Sequence, residues 1–272
     1  MTQPLLAAVC QMTTTSDVDR NRETADRLVR LAASRGARWI CLPEMWTYIG
    51  TLREHREVVE PLSGPTGQQI RGWARELGVT IFGGSFPETA PNPDKCFNTQ
   101  LVVGPDGEDL AVYRKIHLFD IDLPGGPRLK ESDDYEPGTE LGLAATPDGV
   151  VGLTTCYDLR FPTLYQALRD RGAEAVVVPA AFTERTGKAH WEVLLRARAI
   201  EQQVYVLAAG QDGEHKPGRR SHGHSMIVGP WGTVLAQVPD GEGVALAPVE
   251  RDRVASVRRS LPCAEHRRAF TG

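Results

Sequence analysis

The chain is predicted to be an α/β protein, a four-layer αββα sandwich with an internal pseudo-two-fold repeat. Three observations lead there. The strand-like runs are continuously apolar and not alternating, so each needs cover on both faces. They alternate with segments in which apolar residues recur three and four positions apart, the helical period. The order strand–helix–strand–helix–strand–hairpin occurs twice along the chain.

The first half opens with an apolar run over 7–11 that ends near a cysteine, followed by a helical pattern over 20–34. Arg35-Gly36-Ala37 then leads into Trp39-Ile40-Cys41-Leu42, a strand that runs out at Pro43-Glu44. A helix over 68–77 and a strand over 79–82 follow, then a hairpin around Leu101-Val-Val-Gly-Pro-Asp-Gly107. The turn has a mechanism: proline pre-sets one angle and glycine accepts the positive one. The second half repeats the series with a run over 151–157, a helix over 162–171, and Arg171-Gly172-Ala173 before Ala175-Val176-Val177-Val178-Pro179-Ala180. A helix over 191–202, a strand over 204–209 and the hairpin Met226-Ile-Val-Gly-Pro-Trp-Gly232 complete it. Between the halves, residues 113–149 are irregular and hold Lys115 and Lys130, two of the five lysines in the chain. A loop that long inside a compact fold is usually functional. The whole of 1–272 is expected to form one domain.

At 272 residues the chain can bury a sizeable core. With 41% hydrophobic and 24% charged residues it is not a disordered chain, a collagen or a coiled coil. A net charge of -4, without a block of Lys or Arg, excludes a nucleic-acid partner, whose phosphates call for clustered cations. Apolar runs reach about eight residues, too short to span a membrane. Residues 1–4 carry no basic lead into a signal peptide. Five cysteines without Cys-x-x-Cys spacing fit a reducing compartment, so the expected location is the cytoplasm.

Cys156 falls where an apolar strand gives way to Tyr157-Asp158-Leu-Arg160-Phe-Pro162. Such a junction can expose a nucleophile while the next backbone N–H points at the substrate. The plain alternative is a buried packing cysteine. Glu44 stands just past its own strand, where an acid needs a partner, a role or open water. Lys115, in Tyr113-Arg-Lys115-Ile-His117-Leu-Phe-Asp120, reads by itself as a surface lysine. Together the three supply a nucleophile, a base and a cation, the set that amide hydrolysis needs. His222-Gly-His224 offers two nitrogens without a nearby third ligand and reads as structure, not as a metal site. The clustered Asp and His ligands of a metal-dependent phosphoesterase are missing from the sequence. A silent scaffold that only binds partners has no reason to keep all three reactive residues.

Leu42-Pro43-Glu44, the Lys115 block and the Cys156 block resemble the three motif blocks of the nitrilase (carbon–nitrogen hydrolase) superfamily, and the similarity runs from the first strand to Arg268. The resemblance implies an αββα sandwich that dimerises, a Glu-Lys-Cys catalytic triad, and no metal or cofactor. Carried over residue by residue, Cys156 is the nucleophile, Glu44 the general base and Lys115 the cation beside the oxyanion. Glu131, in Leu129-Lys130-Glu131-Ser132, matches a further active-site glutamate and would orient Lys115 or the substrate nitrogen. The N–H of Tyr157 would share the oxyanion. Glu44 would take the thiol proton, hand it to the leaving ammonia, then activate the water that cleaves the thioester.

Two amidase branches are nearest by resemblance. One acts on deaminated glutathione; the other, ω-amidase, acts on α-ketoglutaramate. Ser221-His-Gly-His-Ser-Met226 and Leu261-Pro-Cys-Ala-Glu-His-Arg-Arg268 are similar to the first. Either substrate carries an α-keto acid, so the pocket must neutralise a carboxylate. Arg160 is expected either there or in a salt bridge with an acid such as Asp158. Tyr48, Phe182 and Thr186 are expected to wall the pocket. Deaminated glutathione has a second carboxylate at its glycine end, for which Arg185 and Lys188 would supply charge. The expected partners are therefore a small amide bearing a carboxylate, and a second copy of the chain.

Overall fold

The computed structural model of the protein describes residues 5–50, 56–122 and 128–269. In chain order the first half is β1 (Leu5–Gln11), α1 (Val18–Ser34), β2 (Trp39–Cys41), α2 (Pro65–Leu77), β3 (Thr80–Phe82), β4 (Phe86–Thr89), β5 (Cys96–Val103) and β6 (Asp109–Arg114). Short strands β7 (Asp120–Asp122), β8 (Arg128–Lys130) and β9 (Tyr135–Glu136) lead onward. Then come β10 (Gly142–Thr146), β11 (Gly149–Leu153), α3 (Pro162–Asp170), β12 (Ala175–Val177), α4 (Glu184–Gln202) and β13 (Tyr205–Ala208). The chain finishes with β14 (Asp212–Lys216), β15 (Arg219–His222), β16 (Met226–Val228), β17 (Val234–Gln237), β18 (Gly243–Val249) and α5 (Arg251–Ser260).

One sheet runs β18-β1-β2-β3-β5, with β4 and β6 also paired to β5; the other runs β10-β11-β12-β13-β16-β17. The two match. β1-β2-β3 and β11-β12-β13 are parallel triplets, and each continues into antiparallel strands. Each also has an antiparallel strand on its far edge, β18 or β10. Those flanking strands are exchanged: β10 follows the first half but joins the second sheet, and β18 follows the second half but joins the first. The repeat legible in the sequence is a repeat of topology.

Every central strand divides its side chains between two layers. Val9, Trp39, Cys41 and Phe82 of one sheet meet Val151, Leu153, Val177 and Leu207 of the other in a shared core. Ala8, Cys10, Ile40 and Ile81 turn the opposite way, onto Leu28 and Val29 of α1 and Ile70 and Trp73 of α2. Val176, Val206 and Ala208 pack likewise beneath α3 and α4, with Leu168, Trp191 and Leu195. That gives the layer order helix–sheet–sheet–helix and explains why the strands read as unbroken apolar runs.

Several boundaries differ from the sequence reading, each for a local reason. α1 starts at Val18 because Asp17 caps it, accepting the N–H of Arg20. α2 starts at Pro65, whose fixed φ suits a first turn. α4 starts at Glu184 instead of 191. Residues 184–190 show no apolar period, and the buried position among the first of them is Gly187, where a Cβ would lie 2.2 Å from His222 Cβ. The 151–157 run splits, since β11 ends at Leu153 and Cys156–Arg160 forms a 3-10 turn. The 113–149 stretch holds β7 to β10 and is not one loop. Its Gly-Pro centre, residues 123–127, lies outside the described residues, as do residues 1–4 of the signal-peptide reading. Among the described residues no helix is long and apolar enough to cross a membrane.

Candidate active site

Past β2 the chain runs Leu42-Pro43-Glu44, and past β12 it runs Val178-Pro179-Ala180-Ala181. The two extensions are held alike: Leu42 N–H donates to Phe82 O at 3.0 Å, and Val178 N–H to Leu207 O at 2.9 Å. They meet where Ala181 N–H donates to Glu44 Oε2 at 2.7 Å. Gln211 donates its side-chain amide to the Glu44 carbonyl at 2.9 Å. The next residue, Met45, has φ 52, a left-handed conformation uncommon outside glycine. Its N–H is held by Ser85 Oγ at 3.0 Å.

Cys156 also has positive φ, 49°. Strain of this kind, on the order of 1–3 kcal/mol, persists only where the surroundings over-determine the backbone. Here the Cys156 N–H donates to Pro179 O at 2.8 Å. Fully buried Asp158 ties down the rest of the turn. It accepts from Thr155 N–H at 2.8 Å, Tyr113 O–H at 2.7 Å and His117 N–H at 3.1 Å, with His117 Nδ1 at 2.6 Å. The thiol so presented shares one cavity with Glu44, whose charge acts on it.

Lys115 follows β6 directly and is buried, not a surface lysine: its side chain is 2% exposed. Its Nζ lies 2.9 Å from Glu44 Oε1 and 2.9 Å from both Glu131 oxygens. Glu131 also accepts the Phe119 N–H at 2.6 Å. Asn98 on β5 bridges the two acids, its Nδ2 donating to Glu44 Oε1 at 2.9 Å and Glu131 Oε1 at 3.3 Å. The β5–β6 pairing sets Asn98 beside Lys115, whose N–H donates to Asn98 O at 2.9 Å. A buried charge must be paired, and this ammonium is paired twice.

The electrostatics assign a resting state. Burial alone would raise Glu44, but the charge of Lys115 and hydrogen bonds from Lys115, Cys156 and Ala181 hold it below the ordinary glutamate value. Burial pulls Lys115 down, yet Glu131 and Glu44 hold it well above the ordinary lysine value. Burial and the Glu44 charge push the Cys156 thiol well up, against the pull of Lys115. The group therefore rests as thiol, carboxylate and ammonium. No thiolate stands ready, so any attack by this thiol would need a base.

A cavity of about 290 Å³ opens onto this group, lined by Glu44, Lys115, Glu131 and Cys156, and by Tyr48 and Tyr135 on its walls. A narrow recess beside Cys156 is lined by Phe119, Tyr157, Phe182 and Thr186. The structure thus brings Glu44, Lys115, Glu131, Cys156 and Tyr48 to one cavity, and Tyr157, Phe182 and Thr186 to its side recess. Thr186 stands in the first turn of α4 and not on a loop. Arg160 lines neither space. Its guanidinium lies over the Phe182 and Tyr157 rings, 5.2 and 5.9 Å from their centroids, and 3.3 Å from His190 Nδ1. The bridge to Asp158 does not form, because Asp158 is engaged within its own turn and by Tyr113 and His117.

Arg185 and Lys188 also fall outside the Cys156 cavity. Because α4 begins at Glu184, both lie on the exposed side of its first turns, and Lys188 pairs with Glu184 at 2.8 Å. The cations that line the cavity besides Lys115 are instead Lys130, Lys216 and Arg219. His222 and His224 stack ring on ring at 4.4 Å, and no group of three metal-ligating side chains occurs among the described residues. Sequence reasoning missed Asn98, which carries no motif, and Lys216 and Arg219, although a Pro-Gly turn flanked by two cations was there to be read.

The sandwich is that of the nitrilase superfamily. The chain belongs to the carbon–nitrogen hydrolase family, whose sequence pattern matches residues 6–259. It is similar to the deaminated glutathione amidase of Bos taurus, 44% identical over 268 residues, which covers 97% of this chain and 82% of that protein. The deaminated glutathione amidase of Synechocystis sp. is 40% identical over 97% of this chain and 98% of its own length. Among solved structures, a Saccharomyces cerevisiae protein of branch 10 of the nitrilase superfamily superposes with a TM-score of 0.88 at 29% identity, covering 98% of this chain and 97% of that one. The protein is a hydrolase of carbon–nitrogen bonds, an amidase.

Proposed function

We propose that the protein hydrolyses deaminated glutathione, cleaving the amide between its α-keto acid half and its cysteinylglycine half through a thioester on Cys156. The carrying observation is Lys115 Nζ at 2.9 Å from both Glu44 and Glu131, with Cys156 on the wall of the same cavity. The two relatives named for that substrate support the choice of amide.

In this reading Glu44 takes the thiol proton as sulfur attacks the carbonyl carbon. Lys115 and the Tyr157 N–H hold the oxyanion that develops. Donors already in place cost no reorganisation at the moment of reaction. The C–N bond breaks, and Glu44 returns its proton to the departing amine. A water then loses a proton to Glu44 and attacks the thioester; the C–S bond breaks and sulfur regains the proton. Glu131 and Asn98 keep Lys115 and Glu44 aimed throughout. Phe182 and Thr186 wall the recess beside the nucleophile, with Arg160 backing its aromatic rings.

The same reading makes residues 1–272 one domain, needing neither metal nor cofactor, acting as a homodimer in the cytoplasm. Four described cysteines are buried and unpaired, which suits a reducing compartment. Val193 and Ile200, exposed one heptad apart on α4, and nearby Trp231 form an apolar surface suited to a second copy. Sedimentation at micromolar concentration tests the dimer.

The activity test is appearance of cysteinylglycine and α-ketoglutarate from deaminated glutathione, beside ammonia release from α-ketoglutaramate. A higher kcat/KM for deaminated glutathione is expected. Equal rates, or a preference for α-ketoglutaramate, would move the assignment to ω-amidase.

A further inference from the structure

We infer that the turn Lys216-Pro217-Gly218-Arg219 is a carboxylate subsite for the departing half of the substrate, selecting N-substituted amides whose amine half ends in an acid. This rests on the amidase reading above and adds a recognition element to it.

β14 and β15 are joined through Pro217 and Gly218, the latter at φ +78. Proline fixes the first turn angle and glycine accepts the second, so the tip is defined. Lys216 and Arg219 are direct cross-strand partners. Opposed residues project on the same side of a ribbon, and like charges placed so destabilise it. Neither has an ion-pair partner among the described residues, although the adjacent Arg220 reaches Glu184 at 3.5 Å and Glu214 at 3.7 Å. Both cations line the cavity that has Cys156 on its wall. The other cations of that cavity are neutralised: Lys115 by Glu44 and Glu131, and Lys130 by Asp133 at 3.1 Å. An anion seated between Lys216 and Arg219 would offset a repulsion that no ion pair among the described residues relieves.

The hairpin is anchored on both strands. The His215 ring bridges Thr14 O at 2.7 Å and Ser221 Oγ at 2.8 Å, and Asp212 Oδ2 accepts the Gly241 N–H at 2.7 Å. Burial holds the His215 imidazole down to about 4, so this anchor stays neutral across the working range. The position of the two cations relative to Cys156 is therefore built in.

The recess beside Cys156 is narrow and walled by aromatic rings, so the longer half of a substrate must lie in the main cavity, toward the hairpin. Lys216 and Arg219 line that same cavity, so an acid carried on the departing half has two cations to meet there. The glycine carboxylate of deaminated glutathione is such an acid. The ammonia that leaves α-ketoglutaramate has nothing to place there.

The test uses the full-length protein and the double variant Lys216→Ala/Arg219→Ala. Rates are compared for deaminated glutathione and for the same compound with its glycine carboxylate converted to a carboxamide. The wild type should prefer the acid on the order of tenfold, what two partly exposed ion pairs can supply. The double variant should lose the preference, through KM and not kcat. A preference unchanged by the double substitution overturns the inference. An equal fall for α-ketoglutaramate also overturns it, because the cations would then serve the acyl half. A second readout needs no hydrolysis: the rate at which Cys156 reacts with a maleimide bearing a propionate tail, relative to one bearing propionamide, followed by peptide mass spectrometry. The wild type should favour propionate and the double variant neither. If deaminated glutathione is left intact while that contrast holds, the substrate reading fails and the subsite stands. If the wild type shows no contrast, the subsite fails whichever amide is cleaved.

Discussion

The backbone N–H of Ala181 donates to Glu44 Oε2 at 2.7 Å, from 137 positions further along the chain. This bond carries the second half of the molecule into the electrostatics of the first. It leaves Glu44 Oε1 for Lys115 and Asn98, so both carboxylate oxygens are occupied and neither can turn away from the thiol. A carboxylate accepting several hydrogen bonds stays ionised in a site whose burial would otherwise neutralise it.

The pH profile should reflect that. With its pKa held below the ordinary glutamate value, Glu44 keeps its basic form into more acidic solution, so the acid limb of kcat/KM should fall below pH 4.5. The same depression stabilises the fold fully above the unfolded glutamate value, and that stability is lost as pH falls through the folded one. A limb centred above about pH 5 would remove Glu44 as the titrating base. Replacing it, Glu44→Gln, should slow acylation by about two orders of magnitude or more in single-turnover measurements.

Lys115→Met leaves two carboxylates buried without their shared cation. Breaking a buried pair in this way costs about 3–5 kcal/mol. The denaturation midpoint should drop, and loss of the oxyanion cation should add about 3 kcal/mol to the barrier. Lys115→Met/Glu131→Gln removes one of the stranded charges, so stability should recover in part while activity does not. Recovery of activity in the double variant would assign Lys115 a purely structural role.

Alkylation should sort the cysteines by access: Cys156 is buried like Cys10, Cys41 and Cys96, but it alone of these four lines the cavity, beside Glu44. Cys10, Cys41 and Cys96 are buried, and burial pushes Cys10 and Cys96 up to about 12, so none should react in the native state. Cys263 is exposed and should label alongside Cys156, and substrate should protect only Cys156. Cys156→Ala should fold and form no acyl-enzyme by intact mass. Turnover by that variant would end the nucleophile assignment.

Asn98→Asp adds a third carboxylate beside Lys115, next to Glu44 and Glu131. Repulsion should raise Glu44, so the acid limb should move to higher pH than in the wild type, whereas Asn98→Leu should move it less. Identical limbs in all three proteins would make Asn98 a packing residue.

Cys156 and Glu44 were legible because unbroken apolar runs stop beside them. Lys115 was not legible as a buried group: its counter-charges lie 71 and 16 positions away, and by itself it read as a surface lysine. Arg185 and Lys188 were misplaced because the first two turns of α4 have no apolar period to announce a helix. Arg160 was expected in a charge pair and instead lies on aromatic rings, a placement that depends on which face of Phe182 the fold presents. Asn98 stood in an ordinary strand run. Its significance comes from the neighbours across β6, which one-dimensional pattern cannot supply.

The exchange of β10 and β18 sets a condition on biosynthesis. β18 lies along β1 in unbroken register from Leu5↔Val249 to Gln11↔Gly243. A ribosome delivers β18 more than two hundred residues after β1, so the first sheet keeps one side of β1 unzipped throughout that interval. Unpaired N–H and C=O groups on an apolar strand invite pairing with other nascent chains. A chain stalled before residue 243, or clipped there, would carry Glu44, Lys115 and Cys156 and still lack the strand that closes the first sheet.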